Sequence, residues 1–302
     1  MEQRHLVLLR ELRDRGSVAA VAEANFRTAS AVSQQLRTAE RDLGVPLVRP
    51  HGRGVRLTDE ALLLADAASD VETALERAQA RLEEFRGAVA GRVRLATLPS
   101  AAEYLVPAVL SALADEPITV QLDDVDVSEE DFAQLATDYD VVVGHTMRAR
   151  PPRRRGLSVQ AVVREPLDVV VGADYRWARR RTLRPAEVIR ERWIAPPRGY
   201  PFRTLVDTIE RVTGEHADVR DEVRDNRVVE ALVAAGEGIA LLPRFTTRPR
   251  PDVRLLQLRD LDSARLVVAM ARRDRAERAV VRRVVAELQR AGAQVAAAHR
   301  AA

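Results

Sequence analysis

Cysteine and lysine are both absent from the 302 residues of this chain, and aromatic residues make up only 4% of it. Without cysteine the chain forms no disulfide, no thiolate metal site and no cysteine nucleophile. Without lysine it cannot form the Schiff base on which pyridoxal enzymes depend. All 48 basic residues are therefore arginine, a bias that a GC-rich genome explains more simply than selection for arginine chemistry.

Long hydrophobic runs are missing too, since no apolar stretch approaches the roughly 20 residues that span a bilayer. The N-terminus also lacks the charged-then-apolar pattern of a secretion signal. From the sequence we therefore expect a cytoplasmic protein that does not bind a membrane.

Catalytic and metal-binding motifs are scarce as well. The five histidines are scattered, with no pair at metal-ligand spacing, so no metal and no cofactor is expected. Gly236-Glu237-Gly238 begins like a dinucleotide fingerprint, but Leu241 stands where its third glycine would fall. No G-x-S-x-G elbow or phosphate-binding P-loop is present. We expect that the chain is not an enzyme.

The stretch Thr28–Gly44 predicts an amphipathic helix whose exposed face carries hydroxyls, an amide and arginines. An ordinary helix with a solvated polar face would look similar, but two predicted helices precede it, Gln3–Arg15 and Val18–Ala24. A three-residue turn before Thr28 then gives the helix-turn-helix arrangement. A basic hairpin follows as a wing. The candidate DNA-contacting residues are Thr28, Ser30, Ala31, Ser33, Gln34, Arg37, Arg49, Arg53 and Arg56.

Charge is concentrated in this region. Residues 1–58 hold ten arginines against six acidic residues, whereas the whole chain has a net charge of only +3. A positive excess beside a polar recognition face favours binding to the phosphates of DNA.

A long helix is predicted from about Asp59 to Arg86. The apolar side chains of this helix recur at alternating spacings of four and three residues, which predicts a heptad seam. Packing of the seam on the C-terminal domain is one possibility, and pairing with a second copy of the chain is the favoured one. The seam residues are Leu64, Ala68, Val71, Leu75, Ala78, Leu82 and Phe85.

Residues 1–58 resemble the DNA-binding domain of the LysR-type transcriptional regulators. The matching stretches are GSVAAVAEAN, SAVSQQLRTAERDLGVPL and GRGVRLT. Two departures are the lack of a glycine after Asp59-Glu60-Ala61 and Val48 in place of a common phenylalanine. The C-terminal half resembles the family over nearly its whole length, through GRVRLATLPSAAEYLVPAVL, REPLDVVVGADY, ERWIAPPRGYPFRTLVD and LVAAGEGIALLPRF.

The resemblance implies an α/β chain with three parts. These are a winged helix-turn-helix at residues 1–58, a dimerisation helix at 59–88 and a two-subdomain effector domain at 89–302, similar to type 2 periplasmic binding proteins. Subdomain I would hold about 92–162 and 267–302, and subdomain II about 163–266. Alternating strand and helix segments independently predict an α/β sheet with mostly parallel strands. Among these segments are predicted strands at 157–163 and 167–172 and predicted helices at 129–137 and 274–298. The implied partners are promoter DNA, a second copy (as a dimer or a dimer of dimers), RNA polymerase and a small-molecule effector.

The effector is expected in a cleft between the subdomains, where helix starts offer free N–H groups to an anion. Each candidate also has a purely structural interpretation, as a helix cap, a turn residue or a solvated loop arginine. The candidates are Pro99, Ser100, Ala101, His145, Thr146, Arg198 and Phe202. A solute-binding protein or cleft enzyme with a helical extension is the alternative to a regulator.

Overall fold

The computed structural model describes residues 2–52, 54–248 and 250–301, and it divides into two compact units. One unit comprises Met1–Ala88 with Arg272–Ala279, and the other comprises Val89–Ala271 with Val280–Ala302. The finer limits expected from the sequence, at residues 58 and 88 and between the two subdomains, stay predictions.

The first unit is a winged helix-turn-helix followed by a long helix. Its elements are α1 (Gln3–Arg15), α2 (Val18–Ala24), α3 (Ala29–Leu43), β1 (Val48–His51), β2 (Gly54–Leu57) and α4 (Asp59–Phe85). Ser17 caps α2 by accepting from the N–H of Ala20, and Gly44 ends α3 at a φ of 71°. Glycine reaches this left-handed conformation without a steric cost.

The core of this unit holds the helices and the wing together. Leu9, Val32 and Leu47 are fully buried in one apolar cluster that also includes Ala61. Thr58 fastens α4 to this cluster, because its Oγ1 accepts from the N–H of Ala61 and donates to the carbonyl of Pro46 at 2.9 Å. Helices α3 and α4 therefore share one apolar core.

The second unit is a mixed α/β arrangement. Its elements are β3 (Gly91–Thr97), α5 (Pro99–Ala112), β4 (Ile118–Asp124), α6 (Phe132–Leu135), β5 (Val141–Thr146), β6 (Leu157–Gly172), β7 (Thr182–Leu183), α7 (Pro185–Val188), β8 (Arg192–Ala195), α8 (Pro201–Thr213), β9 (Asp218–Glu222), α9 (Asn226–Ala234), β10 (Ala240–Pro243), β11 (Val253–Leu258) and β12 (Ala264–Arg272). Two helices follow, α10 (Arg273–Glu277) and α11 (Ala279–Ala301).

The main sheet has the strand order β4-β3-β5-β12-β6-β11-β7, with β10 also paired to β6. β3 is parallel to β4 and β5, whereas β12 is antiparallel to β5. The second half of β6 pairs antiparallel with β10 and β11. β8 and β9 form a separate parallel pair. The prediction of mostly parallel strands is therefore right for some pairs and wrong for others.

Helix α10 belongs to the first unit and packs on α4. Arg272, directly before it, makes ion contacts of 3.7 Å with Glu11 on α1 and with Glu72 on α4. Arg77 on α4 donates a 2.8 Å hydrogen bond to Glu277. Burial raises the pKa of Glu72, while the Arg10 guanidinium opposes this rise. Charged side chains thus join three separate segments in this unit.

Three element predictions need correction. The predicted strands 157–163 and 167–172 are one continuous strand, β6, and its second half pairs with β10 and β11. The predicted helix 129–137 is helical only over α6. The predicted closing helix 274–298 is broken, since Arg278 is extended at ψ 131° between α10 and α11. Strands β7, β8 and β9 were not predicted.

Candidate functional site

The exposed face of α3 is the first candidate site. Thr28, Ser30, Gln34 and Arg37 are exposed, whereas Ala31 and Ser33 are half-buried. Val32, Leu36 and Ala39 face the core, so the helix has one apolar and one polar side. The polar side holds the side-chain types that bond base edges and phosphates in a major groove.

Some of these polar groups already have local partners. The Thr28 Oγ1 atom accepts from the N–H of Ala31 at 3.2 Å and lies 3.0 Å from the Ser30 Oγ. Ser33 donates to the carbonyl of Ala29 at 2.8 Å. In the described part of the chain, the side chains of Gln34 and Arg37 have no hydrogen-bond or ion-pair partner. These two are therefore the side chains on the polar side of α3 that are most available to a ligand.

The wing adds a basic edge. Arg49 on β1 lies directly opposite Arg56 on β2, and both are exposed. Directly opposite residues of an antiparallel pair share one face, and like charges there are destabilising. Such a pair is suited to bind phosphates, which would neutralise both cations. Arg53, the third predicted wing arginine, lies outside the described residues.

The predicted seam on α4 is only partly covered in the single chain. Ala68 is fully buried, but Leu75, Leu82 and Phe85 are 43%, 49% and 90% exposed. The apolar stripe is thus most exposed toward the end of the helix that is distant from the winged helix.

The second candidate site is a cavity of about 340 Å³ in the second unit. This volume lies within the range of small-molecule sites. The residues that line it include Ser100, His145, Phe202, Arg224, Arg227, Glu230 and Arg265. Strands β5 and β12 and the starts of α5, α8 and α9 supply much of the wall.

A buried ion pair forms one part of the cavity wall. Arg265 on β12 donates to the Glu165 Oε2 at 2.6 Å and 2.8 Å and to the Ser100 Oγ at 2.8 Å. The backbone N–H of Phe245 donates to the other carboxylate oxygen of Glu165 at 3.2 Å. Burial raises the pKa of Tyr104, which donates to Glu165, well above its ordinary value, and the carboxylate adds to this rise. Arg265 therefore holds Ser100 in place, and the Glu165 carboxylate balances the charge of Arg265.

A second set of arginines faces the cavity from the segment that leads into α9. The Arg224 guanidinium donates to the Tyr200 hydroxyl at 3.2 Å. Arg227 donates to Glu103 at 3.1 Å and makes a 3.5 Å ion contact with Glu230. Both arginines are exposed, so they can exchange these partners for an anion.

The structure brings four of the seven predicted effector residues to this cavity: Pro99, Ser100, His145 and Phe202. The other three are not among its described lining residues. Ala101 and Thr146 are buried, and Arg198 is exposed.

Sequence reasoning missed Arg224, Arg227, Glu230 and Arg265. Arg265 had a usable signal, because an arginine next to the apolar run Leu266–Ala271 needs a buried partner. The other three lie near a helix start, a general anion-binding feature, but nothing in the sequence indicated which helix starts meet at one cavity.

Within the described ranges, no group of three or more histidine, cysteine, aspartate or glutamate residues could hold a metal ion. Among the same residues, no helix combines the length and hydropathy that would let it cross a bilayer.

Comparison with known proteins assigns the two parts of the chain to models of one family. The family model "Bacterial regulatory helix-turn-helix protein, lysR family" matches residues 3–62, and the model "LysR substrate binding domain" matches residues 86–293. The transcriptional activator CmpR of Synechocystis sp. is 24% identical over 233 residues, which cover 76% of this chain and 75% of CmpR.

Solved structures show the same fold. A full-length OxyR variant from Pseudomonas aeruginosa superposes with a TM-score of 0.66 at 17% identity, covering 96% of this chain and 95% of that chain. Full-length CbnR, in a crystal structure with its target DNA, gives a TM-score of 0.54 at 20% identity, covering 97% of this chain and 100% of that chain. The two family models together cover most of the sequence, from the winged helix to α11. The chain is a DNA-binding transcriptional regulator with an effector-binding domain, and it belongs to the LysR family.

Proposed function

We propose that α3 reads base edges through Ser30, Ser33 and Gln34, while Arg37, Arg49 and Arg56 hold phosphates. The observation that supports this is the pair of exposed, unpartnered side chains on α3 within the described residues, Gln34 and Arg37. Thr28 and Ala31 lie at the helix start and would approach the backbone of the DNA. Arg53, outside the described residues, stays a predicted phosphate contact of the wing. CbnR, which shares this fold, has been crystallised in a complex with its target DNA.

We propose that two copies of the chain pair along α4. The exposed stripe of Leu75, Leu82 and Phe85 supports this, because a heptad seam is stable only when a partner covers it. A dimer would present two recognition helices to a two-fold symmetric operator. A dimer of dimers and contact with RNA polymerase are further parts of the proposal that rest on the family alone.

We propose that a small anion in the cavity changes promoter binding. Arg224 and Arg227 carry this assignment, because both face the cavity with exposed guanidinium groups. A ligand can shift the arrangement of the protein only through its different affinity for two arrangements. The protein would act without catalysis, and in the cytoplasm, where a bacterial regulator meets its promoter.

A thermal-shift screen of organic acids on the full chain tests the cavity assignment. Arg224→Gln should abolish a stabilising hit, and Arg198→Gln, outside the cavity, should leave it unchanged. Loss of the hit in Arg198→Gln alone would instead support the site first predicted from the sequence. Binding of operator DNA without ligand should persist in both variants.

A further inference from the structure

Two buried side chains in the cavity wall have polar atoms that the protein leaves without hydrogen bonds. His145 on β5 is 4% exposed, and neither ring nitrogen has a partner among residues 2–52, 54–248 and 250–301. Glu230 on α9 is 1% exposed, and its Oε2 atom has none in those ranges either. Both residues line the cavity. Most buried polar groups in native proteins are bonded to protein or to ordered water, so both side chains offer atoms that a ligand in the cavity can bond.

His145 lies in a part of the wall that favours the neutral ring. Burial, together with the smaller effect of the nearby Arg265 cation, lowers the pKa of His145 to about 3. The ring packs against the edge of Phe132, with 5.2 Å between ring centroids. A neutral imidazole offers one donor and one acceptor, so His145 can bond either a hydroxyl or a carboxylate oxygen.

Glu230 accepts fewer kinds of ligand group than His145 does. Its Oε2 atom lies 3.5 Å from an Arg227 nitrogen and 3.7 Å from an Arg250 nitrogen, so these ion contacts are longer than ordinary hydrogen bonds. An ionised carboxylate only accepts hydrogen bonds. A ligand group that bonds its Oε2 atom must therefore carry a donor, and in a small acid the common donors are a hydroxyl and an ammonium group.

An anion without a hydrogen-bond donor can bind the cavity arginines but cannot bond Glu230. Arg224 and Arg227 can bind a carboxylate, but a carboxylate offers no donor to Glu230. An acid with no donor leaves the Glu230 Oε2 atom without a hydrogen bond from the ligand. A site with such a buried acceptor discriminates strongly against ligands that lack the donor.

We propose that the effector is a small acid that also carries a hydroxyl or an ammonium group, the class of hydroxy acids and amino acids. This proposal rests on the proposed effector cavity. The acid group binds Arg224 and Arg227, and the donor group binds Glu230. His145, on β5, makes a third bond with the ligand.

Matched sets of acids test the proposal on the full-length protein. The probes are succinate, malate and aspartate, then glutarate, 2-hydroxyglutarate and glutamate, and then propionate, lactate and alanine. Each set has one skeleton without a donor, with a hydroxyl and with an ammonium group. Calorimetry on wild type should show at least about tenfold tighter binding of a hydroxy or amino acid than of its unsubstituted parent. The preferred member of the set identifies the donor.

Variants connect this preference to the two residues. Glu230→Gln keeps the shape of the side chain but replaces one acceptor oxygen with a donor, so the preference should fall to less than about twofold. His145→Phe keeps the contact with Phe132 and removes the third bond, so it should weaken binding of the preferred acid. Glu237→Gln, an exposed change just past the other end of α9, is the matched control and should alter nothing. If Glu230→Gln does not fold, the comparison within each set of acids on wild type still decides whether the ligand needs a donor.

The possible failures are distinguishable. If unsubstituted acids bind wild type as tightly as their hydroxy and amino counterparts, the donor requirement is wrong and the anion cavity stands. A preference that survives in Glu230→Gln overturns the assignment of the donor group to Glu230. If no acid of any set binds, the proposed cavity and this inference fall together.

Discussion

The Arg265 Nη2 atom donates a 2.8 Å hydrogen bond to the Ser100 Oγ atom, across 165 positions of sequence. The same guanidinium is paired with Glu165, whose side chain is fully buried. One arginine on β12 thus fixes the start of α5 and the middle of β6. Arg265, one member of this buried pair, lines the cavity, and the exposed cations Arg224 and Arg227 lie around the start of α9.

The buried Arg265–Glu165 ion pair predicts a large loss of stability when one partner is removed. Arg265→Met leaves the Glu165 carboxylate buried without a cation, and we expect a loss of about 3–5 kcal/mol in the free energy of unfolding. Replacing Glu165 with Met as well should recover much of this loss. Arg164→Met is the neighbouring control, because its Asp262 partner is exposed and such pairs contribute about 0–1 kcal/mol. Urea unfolding measures all four proteins, and equal losses at positions 164 and 265 would contradict the assignment.

Gln34 and Arg56 should affect DNA binding in different ways. Gln34→Ala should reduce discrimination at one position of each half-site by about 1–3 kcal/mol. Arg56→Ala should weaken binding to all DNA sequences alike and lower the salt dependence by about one phosphate contact. Fluorescence anisotropy with operator and scrambled duplexes at several salt concentrations separates the two effects. An unchanged ratio of specific to random binding in Gln34→Ala would remove its base-reading role.

The exposed seam on α4 predicts dimerisation. Leu75→Glu would place a charge inside the helix pair, which costs several kcal/mol unless the helices separate. We expect sedimentation to show monomers and operator binding to be lost, while the second unit remains folded. Val212→Glu, an exposed apolar position on α8, is the control and should remain dimeric. A Leu75→Glu protein that sediments as a dimer would exclude pairing along this seam.

His145 predicts a specific dependence of stability on pH. Its folded pKa of about 3 lies below the ordinary value of 6.5, so the unfolded chain binds its proton first as the pH falls. The part of the unfolding free energy that depends on the neutral His145 ring is therefore fully present above about pH 6.5. It is lost as the pH falls from there to about 3. The slope approaches about 1.4 kcal/mol per pH unit in this window. His145→Phe should flatten the unfolding free energy from about pH 6.5 to about pH 4 relative to wild type, and a parallel curve would contradict this.

Much of the first unit was predictable from the sequence, because its signals are local. Ser17, Thr28 and Thr58 each precede a helix that they cap, and Gly16 and Gly44 each end one. The exposed polar face of α3 follows from helical periodicity alone.

The cavity was less predictable, because long-range pairing assembles it. Ser100 could be named from its helix start, whereas its bond to Arg265 depends on where β12 joins the sheet. Glu230 looks like an ordinary charged helix residue in the sequence, and only the fold buries it. The short strands were missed because β7 has two residues and β9 is mostly charged and exposed.

Footprinting on the DNA upstream of the gene tests the central claim most directly. The full-length protein should protect two half-sites separated by one or more helical turns, at salt concentrations that release random DNA. An acid that binds the cavity should change the extent of protection in wild type but not in Arg224→Gln. Absence of specific protection, or an acid response that is unchanged in Arg224→Gln, would contradict the account.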